Sequence, residues 1–223
     1  MRKFLFGICL AASALMLRAE DLSVILQHMN ASAPAFHGMS ADIQMITYTA
    51  VIDDKLTENG SIKMQKKNGA VRAVVDFSQP QSSARDIGFF GKTVRIYYPN
   101  ANYFQDYEIG KNGDVINQFL LLGFGSSGDE LSKSYTITQE GTEQVSGVTA
   151  TKLMLVPKDQ KMLEHLSKAE LWIPEGKSDP IQQQFYESSG NYRKVTYVDV
   201  EINPTLKGTL EIKMRPGAEQ HSS

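Results

Sequence analysis

Any chemistry in this chain has to come from few residues. The histidines are His28, His37, His165 and His221, and no two stand at a spacing that would put a pair of ligands on one metal ion. Ser126 and Ser189 each lie near a glycine, but neither is the centre of a G-x-S-x-G elbow, so the frame of an activated hydroxyl nucleophile is missing. Asp53-Asp54 and Asp129-Glu130 fall in predicted turns, where solvation alone accounts for adjacent carboxylates. The run Gly123-Phe124-Gly125-Ser126-Ser127-Gly128 has the glycines of a phosphate cradle without its lysine or its strand-then-helix frame. These residues give no catalytic constellation, no metal site and no cofactor site, and the chain reads as a non-enzyme.

What the sequence does offer is apolar surface. Beyond residue 19 there are seven methionines, Met29, Met39, Met45, Met64, Met154, Met162 and Met214, several on segments that also carry Ile, Val or Phe. A flexible thioether suits either of two roles: filling gaps in a core, or lining a wall that takes flexible acyl chains. Composition leaves both open.

The elements that would position such a wall follow from patterning. Arg2 and Lys3, an apolar run of 14 residues at 4–17 and the small Ala19 predict a secretory signal peptide over residues 1–19. The run is shorter than the roughly 20 residues of a membrane-spanning helix. Cleavage after Ala19 removes Cys9, and the remaining 204 residues contain no cysteine, which excludes disulfides and thiolate metal sites. It also removes Arg2, Lys3 and Arg18, leaving 20 basic against 25 acidic residues, a net charge of −5 that argues against nucleic acid as a partner.

Asp21 predicts the cap of a helix whose Leu22, Ile25, Leu26 and Met29 share one face. A long strand over 39–52 is apolar on both parities, with a turn at Asp53-Asp54-Lys55. A meander follows, with Asn68-Gly69 as a tight turn and Val71, Ala73, Val75 and Phe77 on one side of a strand. Residues 82–90 and 94–98 are further strand candidates, and 114–124 permits a short helix. The glycine-serine stretch after it predicts a mobile flap. Strands return over 134–140, 148–156, 169–173, 181–186, 193–202 and 209–214, interrupted by a short helix within 158–167, and the tail 217–223 reads as loose. The sum is about eleven strands and three short helices in one mainly β domain over 20–216, antiparallel and with a few short helices.

The order of segments resembles the LolA-like lipoprotein carriers of the bacterial periplasm and the related outer-membrane lipoprotein-sorting proteins. The residues that carry the likeness are the amphipathic helix, the strand from Phe36 with Ala41, Ile43 and Met45, Lys66-Lys67 before a turn, and Gly91-Lys92-Thr93-Val94 leading to Pro99. Further on come the glycine-rich stretch 122–131, Leu155-Val156-Pro157-Lys158-Asp159, Leu171-Trp172-Ile173, the segment 183–192, and Ile202-Asn203-Pro204. Two positions depart from the carriers' pattern: Lys66-Lys67-Asn68 stands where they have arginine then proline, and Arg95 where they have tryptophan.

The resemblance implies a single antiparallel sheet curved into an incomplete half β-barrel covered by helices, working in the periplasm. It would shelter the acyl chains of a lipoprotein or lipid cargo on the way to the outer membrane, and deal with inner- and outer-membrane transport components. A chain of ~15 carbons exposes on the order of 12 kcal/mol of apolar surface to water, so a soluble shuttle must cover it. On this reading Ile43, Met45, Met64, Val75, Phe77 and Phe89 line the hydrophobic cavity. Ile25, Met29, Phe119, Leu121, Phe124 and Trp172 complete it and its lid. A second reading of the same fold is a signalling or sensor module that binds a lipoprotein or protein partner without transport.

Overall fold

The computed structural model describes residues 20–109 and 120–222. The expected signal peptide, most of the helix expected over 114–124, and Phe119 lie outside the described residues. The described chain is mainly β: one 12-stranded sheet with short helices. In chain order it runs α1 (Leu22–Ser32), β1 (Gly38–Thr49), β2 (Asp54–Lys67), β3 (Ala70–Gln79), β4 (Arg85–Phe90), β5 (Thr93–Tyr98) and β6 (Tyr103–Glu108). It continues with α2 (Gly128–Ser134), β7 (Tyr135–Val145), β8 (Val148–Pro157), α3 (Gln160–Leu163), β9 (Lys168–Pro174), β10 (Gln182–Tyr186), β11 (Tyr192–Ile202) and β12 (Glu219–Gln220). The spatial order is β12-β6-β5-β4-β3-β2-β1-β11-β10-β9-β8-β7, antiparallel except for the β12–β6 pair. Two meanders are thus joined where β1 pairs with β11, and the outermost strands do not meet, so the sheet stays open.

Alternation decides what each face carries. In β3 Val71, Ala73, Val75 and Phe77 are buried on the inner face, and the register places Met64, Ile62 and Gly60 of β2 beside the last three in reverse order. Gly60 is dictated by a close approach: a Cβ there would lie 1.8 Å from the Asp76 carbonyl oxygen. Helix α1 lies over the inner face of the other meander. Its Ile25 and Met29 are buried with Leu153, Leu155, Leu171 and Ile173. Asp21 is the N-cap residue, but its side chain makes no capping bond. Instead Gln139 of β7 accepts from Leu22 N at 3.1 Å and donates to Glu20 O at 2.9 Å, which ties the helix start to the sheet. At the far end, Asn30 and Asp129 exchange hydrogen bonds of 3.0 and 3.1 Å between α1 and α2.

Four segments differ from the sequence reading. Helix α2 forms within the stretch expected to be irregular, because Ser127 and Glu130 make a reciprocal capping box. The glycine-serine stretch before it is not a loose flap: Leu122 and Phe124 are buried, and Phe124 packs edge-to-face on Tyr197 at 5.0 Å between ring centres. Residues 209–214 do not form the expected strand. That segment crosses the outer face of β2 to β5, where Arg72 Nε donates to Leu210 O at 2.8 Å and Ile212 sits over the notch left by Gly88. The tail after it is not loose either. Glu219–Gln220 pairs with β6, and His221 stacks on Tyr103 at 4.3 Å.

On the outer face, Asp76 and Asp86 oppose each other directly in the β3–β4 register. Burial, and secondarily the Asp76 charge, push the Asp86 carboxyl up to about 6. A carboxyl raised in the fold favours its neutral form, so this residue withholds stability as pH climbs from the ordinary carboxylate range through 6. Asp86→Asn is therefore expected to gain on the order of 1 kcal/mol above pH 7, discounted for the half-exposed carboxyl, and nothing near pH 4. Urea unfolding at the two pH values checks this.

Candidate functional site

The inner face is not filled along its whole length. Between the α1-covered meander and the β1–β4 meander lies a cavity of about 780 Å³, within the roughly 300–1,000 Å³ of small-molecule sites. Met45 of β1, Ile62 of β2, Phe89 of β4, Phe185 of β10 and Val195 of β11 form its apolar walls, with Leu120 and Leu166 contributing from outside the sheet. All five strand residues fall on the inner parity: Met45 opposes Val195, Val195 opposes Gln183, and Ile62 opposes Val75.

Two polar side chains border these walls, and both are satisfied from within. The Tyr197 hydroxyl donates to Gln183 Oε1, and Gln183 Nε2 donates to the Leu122 carbonyl. This relay ties the covering segment to β10 and β11, and burial pushes the Tyr197 hydroxyl well above its ordinary range. The wall is left without an orphan polar group.

One end of the cavity is polar. Glu164, His165, Glu187, Ser188, Ser189 and Arg193 stand there. Arg193 Nη1 donates to Glu187 Oε1 at 2.7 Å, while Glu187 Oε2 accepts from Ser189 Oγ and Asn191 Nδ2, both at 3.2 Å. Burial alone would push the Glu187 carboxyl up, but the hydrogen bonds from Asn191 and Arg193 outweigh it and hold it below the usual range. An apolar trough ending in hydroxyls, an imidazole and an ion pair is shaped for an amphiphile.

Of the residues expected at a ligand cavity, Met45 and Phe89 stand at the border of this hollow. Ile43, Val75 and Phe77 form a cluster on the same face, against which Met45, Phe89 and Val195 pack. Met64 and Phe124 belong to a neighbouring cluster with Phe36 and Met39, and Leu121 packs at its edge. Ile25 and Met29 are buried under α1 rather than at the cavity. Trp172 is on the other face of the sheet. It pairs with Lys152 and Gln182, its Nε1 donates to Glu143 Oε2 at 2.8 Å, and the Lys152 ammonium lies 5.2 Å from the ring centre. The physical reason is that Leu171, Trp172 and Ile173 are apolar on both parities, and Leu171 opposite Leu153 takes the inner face.

Sequence reasoning missed Ile62, Gln183, Phe185, Val195 and Tyr197. The signal for Ile62 was present, two residues before Met64 on the same parity. The polar rim had none, because residues 187–189 reach the cavity only through the β10–β11 turn.

Among the described residues no group of three or more His, Cys, Asp or Glu is placed to hold a metal ion. A second hollow, of about 620 Å³ on the outer face, is lined by Asp42, Gln44, Asn59, Ser61, Asp76 and Ser78, with Ile43 and Val198 as its apolar side chains.

No protein-family model and no curated protein sequence matches the chain. Solved structures do. An uncharacterized conserved protein from Thermus thermophilus aligns with a TM-score of 0.53 and 14% identity, over 92% of this chain and 100% of that one. The Mycobacterium tuberculosis lipoprotein LppX aligns at 0.50 and 10% identity, over 83% and 97%. A LolA superfamily protein from Nitrosomonas europaea aligns at 0.39 and 13% identity, over 84% and 96%. Against MucB the alignment takes in 82% of this chain but spans only 59% of that protein. The first two likenesses establish a shared fold.

Proposed function

We propose that the protein is a periplasmic carrier that holds the hydrocarbon part of a lipid or of a lipoprotein's acyl group between its sheet and the segment that covers it. The observation that carries the reading is the trough itself: apolar walls from five strands, a relay that keeps Tyr197 and Gln183 from wetting it, and a polar end at Glu187–Arg193. Burying each methylene is worth about 0.8 kcal/mol, so a trough of this chemistry gains affinity with chain length and needs no catalytic group. The resemblance to lipoprotein carriers in the order of the sequence segments supports the same reading.

Val195, half-buried at the middle of the wall, is the place to test it. Val195→Trp fills the trough beside Gln183 and is expected to weaken binding of a fluorescent fatty-acid probe by on the order of tenfold or more, with thermal unfolding of the variant as the control for its effect on packing. Mass spectrometry of an organic extract of the secreted protein should identify the bound class. An empty extract together with unchanged probe binding in the variant would overturn the carrier reading.

A further inference from the structure

We propose that the tip of the β1–β2 hairpin is a membrane-contact element that seats the polar end of the cavity against a lipid surface. Val51 and Ile52 are 89% and 68% exposed, and Leu56, on the strand leaving the tip, is 43% exposed. They are held outward. The turn is a 3-10 segment, Ala50–Ile52, closed by Asp53 N–H to Ala50 O at 3.3 Å, with Asp53 in the left-handed region at φ 47°. The Tyr48 hydroxyl donates to Asp53 Oδ1 at 2.9 Å, and Ala50 N–H donates to Asn191 Oδ1 at 2.9 Å.

That last bond fixes the position of the tip relative to the cavity. Asn191 belongs to the same turn as Glu187, Ser188 and Ser189, which form the cavity's polar end. Behind the apolar tip, Tyr48 stacks on Tyr192 at 5.0 Å, Tyr186 lies 5.9 Å from Tyr192, and Lys55 Nζ is 5.8 Å from the Tyr48 ring. Aliphatic side chains foremost, with tyrosines and a lysine one step back, is the arrangement that the boundary between lipid and water selects.

The local charge decides which lipid. Asp53, Asp54 and Lys55 sum to −1, so there is no basic cluster to be drawn to anionic headgroups, and the attraction comes from apolar insertion. Contact with a zwitterionic bilayer that ignores salt is the consequence. A protruding point of two aliphatic residues suits a fluid surface; a protein would have to present a pocket cut to match it.

The inference rests on the carrier reading for its purpose, and the experiment separates the two. Flotation of the secreted protein with phosphatidylcholine vesicles, at low and high salt, is compared among the wild type, Val51→Glu/Ile52→Glu, and Ala70→Glu at the opposite end of β2–β3. The wild type and Ala70→Glu are expected to float at both salt concentrations, and the double variant to lose on the order of tenfold in vesicle-bound protein. Displacement of the fatty-acid probe without vesicles should be equal in all three. A wild type that does not float, a double variant that floats as well, or flotation that needs anionic lipid and vanishes in salt would overturn the assignment. So would a protein partner retained by the wild type and lost by the double variant. Loss of probe binding in every form, with flotation intact, would remove the carrier reading and leave the tip.

Discussion

Arg85→Met is expected to lower the free energy of unfolding by about 3–5 kcal/mol, the cost of leaving a buried carboxylate without its partner. Glu58 is only 1% exposed, and it opposes Met45 in the β1–β2 register, so it shares the inner face with the cavity wall. Arg85 reaches it from β4, past the intervening β3. Its Nη2 donates to Glu58 Oε2 at 3.0 Å, its Nη1 donates to Glu58 Oε1, and the guanidinium carbon lies 4.6 Å over the Phe77 ring. The bidentate fork also donates to Ser83 O at 3.1 Å, which anchors the approach to β4. Removing Arg85 alone leaves the buried carboxylate only the long hydrogen bond from Ser83 Oγ at 3.5 Å. The double variant Glu58→Gln/Arg85→Met removes both charges and is expected to recover most of the loss. Urea unfolding of the two variants measures the difference, and a single variant within 1 kcal/mol of wild type would show that water reaches the site.

Gly125→Ala is expected to cost about 3 kcal/mol. Two effects add there. The backbone at φ +74° lies in the left-handed region, which charges an L-residue roughly 1–2 kcal/mol. The new Cβ would also stand 2.2 Å from Phe36 Cδ1, inside the cluster that holds Met39, Met64 and Phe124, where overpacking costs about 1–3 kcal/mol. Gly128 repeats the theme, since a Cβ there would fall 2.4 Å from the Leu26 carbonyl oxygen of α1. If these glycines served only as hinges of a free flap, alanine would be tolerated. Denaturant unfolding of the variant, with hydrogen exchange at the Leu122 and Phe124 amides, distinguishes the two.

The glycine run shows where sequence reading stops. Gly-Phe-Gly-Ser-Ser-Gly looks the same whether the glycines grant freedom or admit a neighbour, and only the approach of Phe36 and Leu26 decides between them. Strand parity was far more legible. Val71, Ala73, Val75 and Phe77 announce an inner face by alternation, and the structure buries all four. Residues 209–214 alternate just as well through Leu210, Ile212 and Met214, yet they make no strand. Ile212 is buried and Leu210 and Met214 half-buried against the outer face of a sheet they cross, and period two does not report whether a backbone partner is at hand. For the cavity, its wall could be read in part from Met45 and Phe89, whereas its rim depends on how the turn after β10 folds back. Trp172 failed for a third reason: an apolar run on both parities hides which side is inner, and the companions that settle it, Lys152 and Glu143, come from other strands.

An open sheet of 12 strands has two borders, and this one guards them differently. At β7 the ladder is broken by a bulge between Gln139 and Thr142, and Glu140 and Glu143 stand beside the break, both within reach of Lys152. At β6 the polypeptide's own late segment pairs with Tyr103 and Phe104, and the Gln105 side chain holds that segment by donating Nε2–H to Ser222 O at 3.2 Å. Among the described residues neither border offers a long, straight row of vacant amides to a sister molecule. A sheet left open at both ends can thereby avoid edge-to-edge growth into fibrils.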